Sequence, residues 1–177
     1  MQPKLVILDA YNVILRSDRL KPGPTRTLRE SREKLVNLLS WMMGANDVRF
    51  LVVFDGADGG GPDENSGRVQ VQFSRPPEKA DDLIRRIVEK RVGGEETITV
   101  VTSDLEVARH ARAMGADVSI ADLFLASAFP PAKEAGGAEN AEGEAEKPVS
   151  LSKREIEEWA ELFKSRQGKG EPGPDET

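Results

Sequence analysis

The sequence predicts an α/β domain with a mainly parallel sheet. Three observations lead there. The short, uninterrupted apolar run Leu5–Leu8 and the mainly apolar, β-branched stretches Val48–Phe54 and Thr97–Thr102 have the length of strands buried on both faces. Stretches with apolar residues at helical spacing lie between them, and strands alternating with helices imply a sheet covered on both sides. Finally, each run leads into an acid, at Asp9, Asp55 and Asp104. Ligands of open α/β sheets bind at the carboxyl ends of the strands, so these acids stand at the functional rim.

The elements follow in order. After the first strand come Val13 to Lys21 and the stiff loop Pro22-Gly-Pro24. Thr25 or Thr27 caps a helix running to about Met43, with Leu28, Leu35, Leu38, Leu39 and Met42 on its apolar side. Gly56 to Gly67 reads as a mobile loop, without the Gly-Lys-Ser/Thr ending of a phosphate loop. Val69, Val71 and Phe73 alternate with Gln70 and Gln72, the period of an edge strand with one solvated face. No helical pattern links it to Asp55, which leaves its direction open. A helix from Glu78 to Arg91 carries the stripe Ala80, Leu83, Ile84, Ile87 and Val88, and Gly93-Gly94 ends it. The Asp104–Met114 helix, a short strand within Gly115–Ile120 and a small helix capped by Asp122 complete a domain over residues 1–129. Residues 130–149, rich in Ala, Glu and Gly without periodicity, read as a disordered linker. In 150–167, Ile156, Trp159, Ala160 and Phe163 share one face of an amphipathic helix fit to dock on the domain or on a protein partner, and 168–177 reads as a disordered tail.

The length of 177 residues suits one domain plus an extension. With no cysteine, disulfides, thiolate metal sites and a nucleophilic thiol are excluded. The opening Met-Gln-Pro-Lys leads straight into a four-residue apolar run, too short for a signal or a membrane span, so a soluble cytoplasmic protein is expected. The net charge of −6 belongs to the tail: residues 1–129 carry 18 basic against 19 acidic residues, and residues 130–177 carry 7 against 12. An acidic total therefore does not argue against nucleic acid as a partner of the front part.

Asp81 and Asp82 begin the helix after the edge strand and join Asp9, Asp55 and Asp104 at one rim. Carboxylates crowded together repel by ~1 kcal/mol or more per close pair. A divalent cation relieves this, and an all-oxygen set without His or Cys selects Mg²⁺ or Mn²⁺. Such a site serves phosphoryl chemistry. Each acid alone also has a structural explanation: Asp104 as a helix cap, Asp82 as a first-turn acid, Asp55 as the start of a turn. Asn12 either turns the chain or holds a carboxylate or water by its amide. Ser103 and Thr102 either bond a phosphate or shape the turn.

Asp9-Ala-Tyr-Asn12, Val53-Phe-Asp55, Lys79-Ala-Asp-Asp82 and Val101-Thr-Ser-Asp104, in this order, resemble the NYN domain family, relatives of PIN-domain ribonucleases, and within it the bacterial YacP-like branch. The likeness covers roughly Lys4 to Phe129. It implies a PIN-like three-layer domain with strand order 3-2-1-4-5 and a metal-dependent endoribonuclease. Asp9, Asp81 and Asp104 match its metal-binding acids, Asn12 and Asp55 support them, and Asp82 competes with Asp81. RNA is the implied substrate and the ribosome a candidate place of action, although no residue here points to a ribosome. Two other phosphoryl folds lack their marks. A haloacid-dehalogenase phosphatase wants an acid where Tyr11 stands, and a receiver domain wants a lysine where Ala121-Asp122 follows Ile120.

Arg16, Arg19, Lys21, Arg26, Arg29 and Arg32 fall in one loop and its helix, a basic strip suited to RNA phosphates or else a solvated face with Glu30 and Glu33. Tyr11 either stacks on a base or packs. His110, the one histidine, reads as a surface residue. A function of another class, a non-catalytic RNA-binding or adaptor module, competes with the nuclease. A focus of negative charge beside RNA phosphates is a poor feature for a module that only binds.

Overall fold

Leu5, Ile7, Val6 and Leu8 are all buried, and the alternation of a strand sends the first pair to one face of the sheet and the second to the other. A computed structural model describes residues 3–42, 48–58, 63–129 and 152–164. The strands are β1 (Lys4–Asp9), β2 (Val48–Phe54), β3 (Glu64–Ser66), β4 (Val69–Phe73), β5 (Thr97–Val101) and β6 (Asp117–Ser119), in spatial order β3-β4-β2-β1-β5-β6. All neighbours pair in parallel except β3 with β4. The five parallel strands, numbered by themselves, thus stand in the order 3-2-1-4-5, as the motifs imply.

The helices are α1 (Ala10–Leu15), α2 (Leu28–Met42), α3 (Ala80–Arg91), α4 (Leu105–Met114), α5 (Ala121–Ala128) and α6 (Lys153–Lys164). Leu5, Ile7, Leu51, Val53, Ile98 and Val100 bury against α3 and α4, and Leu162 of α6 packs on that core. Val6, Leu8, Phe50, Val52, Phe54 and Val71 bury against α1, α2 and α5. The result is three layers, helices on both faces of one sheet. Each fully buried Leu or Ile contributes about 1.5–3 kcal/mol relative to exposure, so the two cores fix the register that aligns the strand ends.

Several expectations change. Val69–Phe73 is not an edge strand: it lies between β2 and β3, and runs parallel to β2. Within the predicted loop, Gly56–Asp58 forms a 3₁₀ turn and Glu64–Ser66 forms β3, while residues 59–62 lie outside the described residues. The helix α1 begins directly after β1, where no helix was expected. Asp122 caps nothing; Ile120 holds the cap position of α5, and Asp122 pairs with Arg16 at 3.1 Å. Thr27, rather than Thr25, caps α2: its hydroxyl accepts the Glu30 N–H at 3.2 Å while Glu30 takes the Thr27 N–H at 2.6 Å, a reciprocal capping box. The proposed linker and tail lie outside the described residues. No helix among the described residues is long and apolar enough to cross a membrane.

Candidate active site

Because β1, β2 and β5 are parallel and in register, their carboxyl ends bring Asp9, Asp55 and the turn Thr102-Ser103-Asp104 to one rim. Helix α3 crosses back from β4 and begins there, adding Asp81 and Asp82 in its first turn. Asp9 is buried, and its Oδ2 accepts the Thr102 hydroxyl at 3.2 Å. Burial raises the Asp9 carboxyl from 3.8 to about 6, and Asp81 and then Asp104 push the same way; the Thr102 hydroxyl and the nearby Asn12 backbone N–H oppose them. Burial also raises Asp81, with Asp104, Asp82 and Asp55 adding to it and Arg85 pulling against it. The five acids Asp9, Asp55, Asp81, Asp82 and Asp104 therefore form one electrostatic group.

Local bonds hold the surrounding backbone. Asn12 Oδ1 accepts the Ser103 N–H at 2.9 Å, tying α1 to the turn after β5. Thr102 Oγ1 in turn accepts the Asp104 N–H at 3.0 Å, so one hydroxyl links Asp9 to Asp104. Asp104 caps α4, with Oδ1 accepting from the Glu106 and Val107 N–H groups at 2.8 and 3.2 Å and Oδ2 in neither bond. Asp55 Oδ1 accepts the Ala57 N–H at 2.9 Å, and its Oδ2 lies 3.4 Å from the Ala80 nitrogen. Asp82 Oδ2 reaches back toward the Lys79 N–H at 3.4 Å, a capping position. Gly56 permits this packing: a Cβ there would lie 2.0 Å from the Ser74 carbonyl oxygen.

The donors fit a hard cation by chemistry. They are oxygens only, burial first and mutual repulsion second raise the Asp9 and Asp81 carboxyls, and the Ser103 hydroxyl beside them is buried with no hydrogen-bond partner. As the side chains are placed, no three acidic or imidazole groups among the described residues converge closely enough to hold an ion.

The basic residues divide. Arg26 Nη1 and Lys34 Nζ both donate to the Arg19 carbonyl, at 2.5 and 2.8 Å, while the Arg19 guanidinium lies over the Phe129 ring at 4.9 Å. The Lys34 ammonium is pushed down, by burial first and then by Arg26 and Arg19. Arg16 turns to Asp122, and Arg29 to Glu33 at 3.1 Å along its own helix. Arg32 Nε donates to the Tyr11 hydroxyl at 2.8 Å, so Arg26, Arg29 and Arg32 each turn to a different partner. His110 is part-exposed, and its Nε2 lies 3.2 Å from Glu89 Oε1, between α4 and α3. Sequence reading missed Lys34 and Arg85. The second stands four residues after Asp81, a helical spacing that brings the two together.

The sequence pattern of YacP-like NYN domains matches residues 6–164. Two crystal structures of Rae1 (YacP) from Bacillus subtilis are similar, one of them of a Trp-to-Leu mutant. They share 26% and, for the mutant, 25% identity with this chain, each at a TM-score of 0.61 over 71% of it. The match spans 73% and 74% of those chains respectively. No curated protein sequence matches. The aligned rim, the strand order and the family match over most of the length agree, and the chain belongs to the YacP-like NYN domain family, with its PIN-like nuclease fold.

Proposed function

We propose that this chain is a metal-dependent endoribonuclease, hydrolysing RNA phosphodiester bonds at the acidic rim with Mg²⁺ or Mn²⁺ in the cytoplasm. One observation carries the reading: the Asp9 carboxyl at the strand ends is buried and is raised, first by burial and then by Asp81 and Asp104. Burying like charges together is costly even with Arg85 beside Asp81, and perturbed acids of this kind mark functional sites.

In this reading Asp9, Asp81 and Asp104 hold the cation and Asp55 supports them. Asp81 is favoured over Asp82, because Asp104 and Asp55 press on Asp81 while Asp82 reaches toward the Lys79 N–H. The chemistry such a cation would supply there is activation of a water and neutralisation of phosphate charge. The chain's own residues do the positioning. Thr102 fixes Asp9 through Oδ2, Asn12 holds the Ser103 turn, and the α4 N–H groups orient Asp104. Arg19, Arg26 and Lys34 gather positive charge in the loop before α2 and on that helix, which suits a polyanion. RNA as the substrate, and the ribosome as a place of action, rest on the family likeness. The nuclease domain is assigned to residues 1–129, with α6 as a further contact for the domain or a protein partner.

The competing reading, a non-catalytic RNA-binding or adaptor module, is favoured by the lack of three converging acids as the side chains stand among the described residues. Cleavage of labelled RNA and DNA oligonucleotides with Mg²⁺, with Mn²⁺ and with excess chelator separates the two. Metal-restored cutting of RNA supports the nuclease, and RNA binding with no cutting under any condition supports the module.

A further inference from the structure

On the α2 side of the same rim, Arg32 stands over three aromatic rings. Its guanidinium carbon lies 5.4 Å from the Tyr11 centroid, 5.6 Å from Phe54 and 5.5 Å from Phe73. Tyr11 meets Phe54 edge-on at 5.3 Å, and Phe54 stacks with Phe73 at 5.3 Å and 24°. Both Nε and Nη2 of Arg32 donate to the Tyr11 hydroxyl. Two N–H groups on one oxygen and three rings around one cation hold a long side chain in a single place. Phe54 is buried, whereas Tyr11, Phe73 and Arg32 keep part of their surface exposed.

The cluster adjoins the acids. Tyr11 lies between Asp9 and Asn12 in the chain, and Phe54 immediately precedes Asp55. Consecutive Cα atoms are about 3.8 Å apart. Strand alternation separates the two groups by face. Asp9 follows Leu5 and Ile7, and Asp55 follows Leu51 and Val53, on the α3–α4 side; Phe54 and Phe73 belong to the α2 side. A single strand crossing the sheet ends would therefore meet carboxylates on one side of the rim and an arginine–aromatic surface on the other. Such surfaces stack unpaired bases of any sequence, and a guanidinium plane serves as well as a ring.

We propose that Arg32, held by Tyr11, Phe54 and Phe73, is the platform on which an unpaired RNA base stacks next to the scissile phosphate. This rests on the nuclease reading and adds a base subsite to it. The platform explains why the Tyr11 ring and hydroxyl are both engaged with Arg32, and it assigns to Arg32 a stacking role, where sequence alone suggested a phosphate contact.

The test uses the full chain and a short RNA cut at one mapped bond, with each base in turn replaced by an abasic site. Affinity is read by fluorescence anisotropy in chelator, with circular dichroism as the folding control. In the wild type, one abasic position next to the cut should lower affinity by roughly 5- to 150-fold, the equivalent of one stacked base. Arg32→Lys, which keeps the charge, should bind the intact RNA as weakly as the wild type binds that abasic strand, and should be indifferent to the substitution. Tyr11→Phe keeps the ring but frees the guanidinium, and should lose part of the discrimination. A flat abasic series in the wild type overturns the platform, and so does an unchanged abasic penalty in Arg32→Lys. Mapped, metal-dependent cutting with a flat series would leave the nuclease reading standing and remove the platform alone. A wild type that neither binds nor cuts RNA would remove both.

Discussion

Replacing Asp9 by asparagine should stabilise the metal-free protein near neutral pH, and the gain should depend on pH in a defined way. The Asp9 carboxyl rises from 3.8 to about 6 on folding, chiefly through burial. Between those values the folded state keeps a proton that the unfolded chain releases, so stability falls as pH rises through that window and is flat above it. At ~1.4 kcal/mol per pH unit the full cost at pH 7.5 is about 3 kcal/mol, of which roughly 2 kcal/mol develops above pH 4.5. Asparagine retains an oxygen for the Thr102 hydroxyl but brings an amide NH₂ that needs a partner, which reduces the net gain to about 1–2 kcal/mol. The assay is thermal unfolding by circular dichroism in chelator at pH 4.5 and 7.5. Asp9→Asn should exceed the wild type by several degrees at pH 7.5 and lose all of that lead, or fall slightly below the wild type, at pH 4.5. A pH-independent difference, or a variant less stable at pH 7.5 than at pH 4.5 relative to wild type, would refute the reasoning. Added Mg²⁺ should close the gap, since a ligand that binds only the folded wild type stabilises it by mass action.

Asp104→Asn should preserve the α4 cap and the melting temperature while abolishing cleavage, whereas Asp104→Ala should also cost about 1 kcal/mol in unfolding experiments. Gly56→Ala places a methyl group 2.0 Å from the Ser74 carbonyl. It should lower stability by a few kcal/mol, roughly the scale of an overpacked site, and reduce cleavage by moving Asp55; a variant with wild-type melting and rate would mean that the turn relaxes freely. Joint replacement of Arg19 and Lys34 by Gln should flatten the salt dependence of RNA affinity by about 0.7 for each phosphate that is no longer neutralised, measured as log affinity against log salt. An unchanged slope would assign both residues to loop structure.

Much of this was legible in the residues, for physical reasons. Strands buried on both faces leave runs rich in apolar and β-branched residues, so β1, β2 and β5 and the acids that follow them stood out. The stripe of α3 and the Asp104 cap were equally plain. Helix α1 was hidden because Ala10–Leu15 is only six residues long, too short to show a period, and its Val13 and Ile14 favour strands on their own. The strand β3 has three residues and no apolar alternation; it exists through pairing with β4, a tertiary effect. The fate of the arginines was also beyond the sequence. Three-residue spacing put Arg26, Arg29 and Arg32 on one broad face, but nearby partners decided their directions: a loop carbonyl, Glu33 and an aromatic group built from three separate elements. The contact of Phe54 with Phe73 at adjacent strand ends was in principle readable, given the direction of β4, which only pairing with β2 establishes.

Carboxylates at the strand ends, in this account, hold a cation for RNA cleavage. Single-turnover cleavage of a labelled RNA by the wild type and by Asp9→Asn, both with Mg²⁺ and in excess chelator, tests that claim most directly. The expected result is metal-dependent cutting by the wild type and none by the folded variant. Cutting by Asp9→Asn at the wild-type rate, or cutting that continues in chelator, would contradict it.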